Sequence, residues 1–198
     1  MTSGTPLTAA PAPRLPLVGE ATDPEVAALF DGILARSGRL LNLHRMMAHA
    51  PSLMKASVDT AMAMRHGTLL PRSLIEIVIL RTALLLRSDY EWQQHRPMAV
   101  ANGVSPQQID ALTDWPASTL FADDQREALA FCDCIVGGTA PEDAAFRRLR
   151  QHFSPREIVE LALIVCHYLA TAHFVAALAL PLELGAGEAA AMPTAEPA

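Results

Sequence analysis

The run from Leu74 to Leu86 is apolar on nearly every side, interrupted only by Glu76, Arg81 and Thr82. Pro71 precedes it as a helix start. A helix that is apolar all round has no face to give to water, so other elements must cover it on all sides. The chain therefore has to fold around this segment. A buried acid must be hydrogen-bonded, paired or protonated, which makes Glu76 informative where a surface glutamate would not be. It is either a working acid or half of an ion pair with Arg81 or another arginine.

The rest of the chain supplies helices to do the covering. Asp23-Pro24-Glu25 is a helix start, and Val26, Leu29, Phe30, Ile33 and Leu34 trace one face up to Gly38. Asn42–Ala50 reads as a short helix stopped by Pro51, and Ser52 is placed to cap another that runs to Gly67. That helix carries Leu53, Met54, Val58, Ala61 and Met62, a face suited to ordinary core or to a ligand wall. A helix from Ser88 or Asp89 should end at Asn102-Gly103, with Pro97 inside it expected to produce a kink. Ser105-Pro106-Gln107-Gln108, Thr139-Ala140-Pro141-Glu142 and Ser154-Pro155-Arg156-Glu157 have the form of capping boxes, and Asp123 or Asp124 is placed to cap a helix reaching Val136. No segment alternates convincingly as a strand, so the fold class is all-α. The expected organisation is a disordered N-terminal arm over 1–15, one helical domain over 16–184 and a flexible tail over 185–198.

Composition narrows the function classes. A net charge of −6, with 15 basic residues spread thinly and not in runs, carries no electrostatic footprint for nucleic acid. A hydrophobic share of 51% with only 5% aromatics is small aliphatic surface that helices bury against one another, and its excess predicts a homo-oligomer. Cys132, Cys134 and Cys166 form neither a Cys-x-x-Cys pair nor a zinc spacing, and they read as buried thiols in a reducing compartment. No basic stretch leads into an apolar signal core, so the expected location is the cytoplasm, and no membrane or cofactor is expected. Leu161–Leu182 lacks formally charged side chains, but His167, Tyr168, Thr171 and His173 interrupt it, which favours a buried or interface helix over a span.

Chemistry concentrates after the central run. Ser88, Asp89, Tyr90, Glu91, Trp92 and His95 fall close together, and Glu91 and His95, four apart, share a helix face. A carboxylate and an imidazole can therefore aim into one pocket, with Glu76 behind them as a second acid. His44 and His49, five apart, do not share a face and read as core, capping or surface histidines.

The spacing Glu76, Ser88, Glu91, His95 resembles the carboxymuconolactone decarboxylase and alkylhydroperoxidase family. Its redox members carry Glu, eleven residues, Cys-x-x-Cys, three residues, then His. Ser88 and Glu91 stand where the cysteines would be, and Tyr90-Glu91-Trp92-x-x-His95 is similar to the cysteine-free branch. A second block of resemblance starts at Phe153-Ser154-Pro155-Arg156-Glu157. The resemblance implies an alkylhydroperoxidase-like helical bundle assembled as a trimer or hexamer, with a dimer as the alternative. It also implies a pocket with Glu76, Glu91 and His95 as catalytic groups and Ser88, Tyr90 and Trp92 as substrate-binding residues.

Three functions compete on these residues. In the favoured one, Glu91 and His95 move protons in decarboxylation or isomerisation of a lactone or related carbonyl acid, a small-molecule substrate. In the second, the protein is an alkylhydroperoxidase-like antioxidant of peroxiredoxin type. That chemistry needs a thiolate and a resolving thiol, which Ser88 and Glu91 cannot supply. In the third, the chain binds a ligand without catalysis, or binds a metal through Glu91, His95 and a further Glu or His.

Overall fold

The computed structural model describes residues 12–19, 23–183 and 192–193. Among these it is all-α, with α1 Pro24–Ser37, α2 Asn42–Met47, α3 Pro51–His66, α4 Arg72–Leu85, α5 Asp89–Ala101, α6 Pro106–Ala111, α7 Asp123–Val136, α8 Asp143–His152 and α9 Pro155–Leu178. A 3-10 turn over Leu112–Asp114 joins α6 to the loop before α7.

Helix α4 is the centre, as its composition demands. On one side Leu74, Ile75, Val78 and Ile79 pack with Cys132 of α7 and Leu161, Ile164 and Val165 of α9. On the other, Ile77, Leu80 and Ala83 pack with Trp92 and Ala99 of α5, Ile109 of α6 and Leu129 of α7. Each large aliphatic side chain so enclosed contributes about 1.5–3 kcal/mol of transfer free energy before ordering costs are subtracted. Arg81, on α4 with Arg72 and Glu76, faces away from Glu76. Its Nε and Nη2 donate to the Asp133 carboxylate at 2.8 Å each, and its Nη1 donates to the Leu112 carbonyl at 2.7 Å.

Helices α1 to α3 close a smaller core of their own from Val26, Phe30, Ile33, Ala48 and Met54. A fourth cluster, Met46, Tyr90, Val175 and Leu180, ties α2 to α5 and to the chain after α9. Residues 12–19 lie along this seam. Arg14 donates its backbone N–H to Leu178 O and its Nη1 to Ala177 O, and Val18 N–H bonds to Arg45 O. Residues 12–15 of the expected arm are thus tied to α9. The other residues of that arm, and the expected tail apart from 192–193, lie outside the described residues.

Several helix starts differ from the sequence reading. The N-cap of α3 is Ala50, with Pro51 and Ser52 already helical. Helix α7 starts after Ala122, whose N–H donates to the Gln125 side chain, so Asp123 and Asp124 sit in its first turn. Helix α8 starts after Glu142, because the Thr139 hydroxyl donates back to Cys134 O instead of capping forward. The boxes at Ser105 and Ser154 form as read, with reciprocal bonds to Gln108 and Glu157. Leu34, placed on the buried face of α1, is exposed, as are Cys166 and Leu53, and Cys134 is half-buried. Helix α9 is long and apolar enough to cross a membrane by length and composition, yet it lays one full face against α4 and α7. Helix α5 runs through Pro97 as one helix.

The reversal from α4 to α5 places the site residues. Ser88 N–H bonds back to Ala83 O at 2.9 Å, which requires Arg87 to adopt a left-handed conformation with φ +52°. Arg87 is exposed, so this strain buys no packing of its side chain. Arg87→Gly should be neutral to stabilising in urea melts, and Arg87→Val should lose about 1–2 kcal/mol. Equal stability of the two variants would show that the turn is not held in this conformation.

Candidate functional site

Glu76 projects from α4 toward α5 and is fully buried, at 0% exposure. One oxygen pairs with Arg72 Nη2, a turn earlier on the same helix. The other lies 2.8 Å from His95 Nδ1. A carboxylate only accepts, so Nδ1 carries the hydrogen of this bond and Nε2 is the nitrogen left to exchange a proton. His95 Nε2 lies 3.6 Å from Glu91 Oε2. Arg72, Glu76, His95 and Glu91 therefore form a chain of alternating nitrogen and carboxyl side chains that runs outward from the core.

The outer end of this chain opens on a cavity of about 300 Å³. Tyr90, Glu91, Gln94, His95 and Met98 of α5 and His167, Tyr168 and Thr171 of α9 form one wall. The other is built by α1 to α3 and the link before α2, with Arg39, His44, Met47, Val58, Met62 and Arg65 among its side chains. The Met-bearing face of α3 is thus a cavity wall at Met62, while Met54 is core.

Of the residues singled out from sequence, Glu91, His95 and Tyr90 meet on the cavity. Glu76 stands behind His95 and does not line it, which corrects the expectation that both acids enter one space. Ser88 is buried as the N-cap of α5, receiving Glu91 N–H at 3.4 Å. Trp92 is 1% exposed and packs in the core between α4 and α7. Neither lines the cavity, because adjacent helical residues diverge by about 100° and only one face of α5 turns toward it. The Tyr90 hydroxyl donates to Glu183 Oε1 at 2.7 Å and accepts Leu43 N–H at 3.2 Å. Gln94 Nε2 also donates to Glu183, and Gln94 Oε1 accepts from Arg39 Nη2 at 3.0 Å.

Arg65, His167, Gln94 and Glu183 were not found by sequence reasoning, and His44 was given only a structural role. They come from four separate segments and share no motif. His167 alone carried a signal, as a polar interruption of the uncharged run in α9.

Burial sets the charge states. It raises the Glu91 carboxyl above its ordinary range, against the opposing pull of His95 and Arg65. It lowers His44 to about 4, with Arg65 adding to the effect, and it lowers His167 in the same direction. His44 Nδ1 accepts Leu41 N–H at 3.2 Å, so its Nε2 carries the hydrogen. Burial pushes the Cys132 thiol up to about 12. No cysteine lines the cavity, and among the described residues no group of three or more His, Cys, Asp and Glu side chains is disposed to hold a metal ion.

Residues 51–133 match the model of the Carboxymuconolactone decarboxylase family, which bears out the resemblance read from Glu76, Ser88, Glu91 and His95. Among curated proteins none matches significantly. Solved structures share the fold. An uncharacterised peroxidase-related protein from Silicibacter sp. TM1040 superposes with a TM-score of 0.76 at 19% identity, covering 86% of this chain and 92% of its own. An alkylhydroperoxidase core, a peroxidase-related protein from Ralstonia eutropha JMP134, gives 0.75 at 18% identity over 87% and 93%. A debrominase in complex with 2,3,4-tribromopyrrole gives 0.73 at 19% identity over 88% and 95%. At these identities the likeness establishes the alkylhydroperoxidase-like helical fold and nothing further.

The shifts make stability depend on pH in two opposite ways. Glu91 is raised when folded, so its contribution is present at acid pH and lost as pH climbs from its ordinary 4.5 through the raised value. His44 is depressed, so its contribution is present above 6.5 and lost as pH falls toward 4. Glu91→Gln should therefore melt higher than the wild type at about pH 8, with the gap closing toward pH 4, and His44→Gln should flatten the acid side of the melting-temperature profile. A constant offset across pH for both variants would contradict these assignments.

Proposed function

We propose that this chain, which matches the carboxymuconolactone decarboxylase family over residues 51–133, is a non-redox acid/base enzyme acting on a lactone or related carbonyl acid. The observation that carries the reading is the 3.6 Å approach of His95 Nε2 to Glu91 Oε2 at the cavity wall, with His95 Nδ1 already committed to Glu76. One ring nitrogen is fixed from behind and the other faces the ligand space. This is the arrangement a proton-transferring imidazole needs.

Burial favours the neutral form of Glu91, which suits it to donate a proton, and Glu76 stabilises the imidazolium formed when His95 accepts one. In an isomerisation, His95 would take the proton next to a carbonyl and Glu91 would return one at the new position. In a decarboxylation, the electron pair of the breaking C–C bond would pass to the adjacent carbonyl as an enolate. A proton from Glu91 or protonated His95 would then quench the carbon. Glu76 and Arg72 do not touch the ligand space and act as positioning residues.

The antioxidant reading is less well supported, since the cavity is lined by no thiol and Cys132 is held far from the thiolate form. The debrominase relative holds a small heteroaromatic ring, and a ring of that size suits a cavity of about 300 Å³.

Self-association is part of the same proposal. Val159 and Leu163 on the outer face of α9 are 58% and 56% exposed, with Cys166 exposed beside them, and two copies would meet there. Light scattering should give a multiple of the chain mass at micromolar concentration, and a monomer mass would overturn this.

The activity test is turnover of a panel of carboxylated lactones and keto acids, followed by CO2 release and by loss of lactone absorbance. Glu91→Gln and His95→Ala should each lower turnover by about 100-fold or more. Ser88→Ala should keep turnover while losing about 1 kcal/mol of stability with its cap. Glu76→Gln should shift the pH optimum. Full activity in both Glu91→Gln and His95→Ala would reduce the pair to scaffold.

A further inference from the structure

Arg65 lies at the end of α3 and lines the cavity, where its charge reaches His44, Glu91, His167 and Tyr168. It forms no ion pair among the described residues. Its Nε is buried and has no hydrogen-bond partner. A buried guanidinium donor without an acceptor is costly unless something else supplies one. Arg36 and Arg39 line the same cavity, and among the described residues the Arg39 side chain bonds only the neutral amide of Gln94. The one carboxyl group on the lining, Glu91, is biased toward its neutral form. The histidines facing Arg65 are biased the same way, so neither His44 nor His167 adds competing positive charge. The cavity lining therefore carries three arginines against one carboxyl group.

Much of the remaining lining is apolar and deformable. Met47, Met62 and Met98 come from three different helices, with Leu43 and Val58 between them. A site of this size with a buried cationic anchor and largely apolar walls takes a small amphiphile, oriented by its charged end.

We infer that the cavity binds an organic acid with an apolar body, its carboxylate held by Arg65 and its aliphatic or aromatic portion lying against Met47, Met62 and Met98. This rests on the acid/base reading of the same site and sharpens it. A guanidinium stabilises the charged form of the carboxylate it holds. The carboxylate on Arg65 is therefore a handle that survives the reaction, and the group that changes is a separate one presented to Glu91 and His95. A substrate that loses CO2 here must carry a second carboxyl.

The test uses the whole protein and calorimetric titration with 3-phenylpropionate and cyclohexanecarboxylate, each beside its neutral amide. The acids should bind about tenfold tighter or more than the amides at neutral pH. Arg65→Met should abolish that preference, and Arg65→Lys should keep part of it. Equal affinity of acid and amide for the unmodified protein overturns the inference without any variant, as does a lack of binding by either acid at millimolar concentration. Preference for the acids in a protein that turns over none of the lactone and keto-acid panel would leave this inference standing while removing the catalytic reading.

Discussion

A fully buried carboxylate, Glu76, is held between a cation on its own helix and an imidazole on the next, and the site is built outward from that contact. Burying a single unpaired charge in an apolar core would cost several kcal/mol. Arg72 on one side and His95 on the other offset this cost with hydrogen bonds to both oxygens. The same bonds fix how α5 lies on α4, since His95 can reach Glu76 only if the reversal at Arg87 turns the start of α5 back along the core. The orientation of the imidazole is thus a consequence of solving a burial problem. What faces the cavity, His95 Nε2 and Glu91, is whatever that solution leaves over.

The cavity itself exists because the chain has more than one core. Helices α4 to α9 bury their apolar faces around α4, and α1 to α3 bury theirs largely among themselves. Where the two layers meet they are joined along one seam, by Met46, Tyr90, Val175 and Leu180 and by the Glu183 bonds to Tyr90, Gln94 and Asn42 N–H. Away from the seam the layers stand apart and leave the space that Arg65 and Glu91 border from opposite sides. Glu91 and His95 belong to one layer and the arginines to the other, so a ligand that bridged them would also add contacts between the layers.

Much of the fold was legible in the residues. Periodicity marked α1, the caps at Ser88, Ser105 and Ser154 act as read, and all-round apolarity put α4 at the centre. The misplaced starts of α3, α7 and α8 share a cause. Ser52, Asp123 and Thr139 all have capping side chains, but a neighbouring proline or a competing acceptor settled the boundary, and such choices depend on the path of the chain before the helix. The pairing of Glu91 with His95 followed from helical spacing alone. The dismissal of Trp92 and Ser88 from the cavity did not, because spacing says which residues share a face and not which face meets open space.

The sequence by itself determined an all-helical chain around one apolar helix with an acid in it, and a carboxylate and an imidazole on a common face one turn apart. These are local properties, set by side-chain type and the helical repeat. Tertiary structure alone decided that Glu76 backs His95 instead of sharing the cavity, that its arginine is Arg72 while Arg81 goes to Asp133, and that Arg65, His44 and His167 line the same cavity as Glu91. Each of these depends on how far apart two helices settle and how each is rotated about its axis. Packing of many side chains at once sets those quantities, and no single stretch of sequence encodes them.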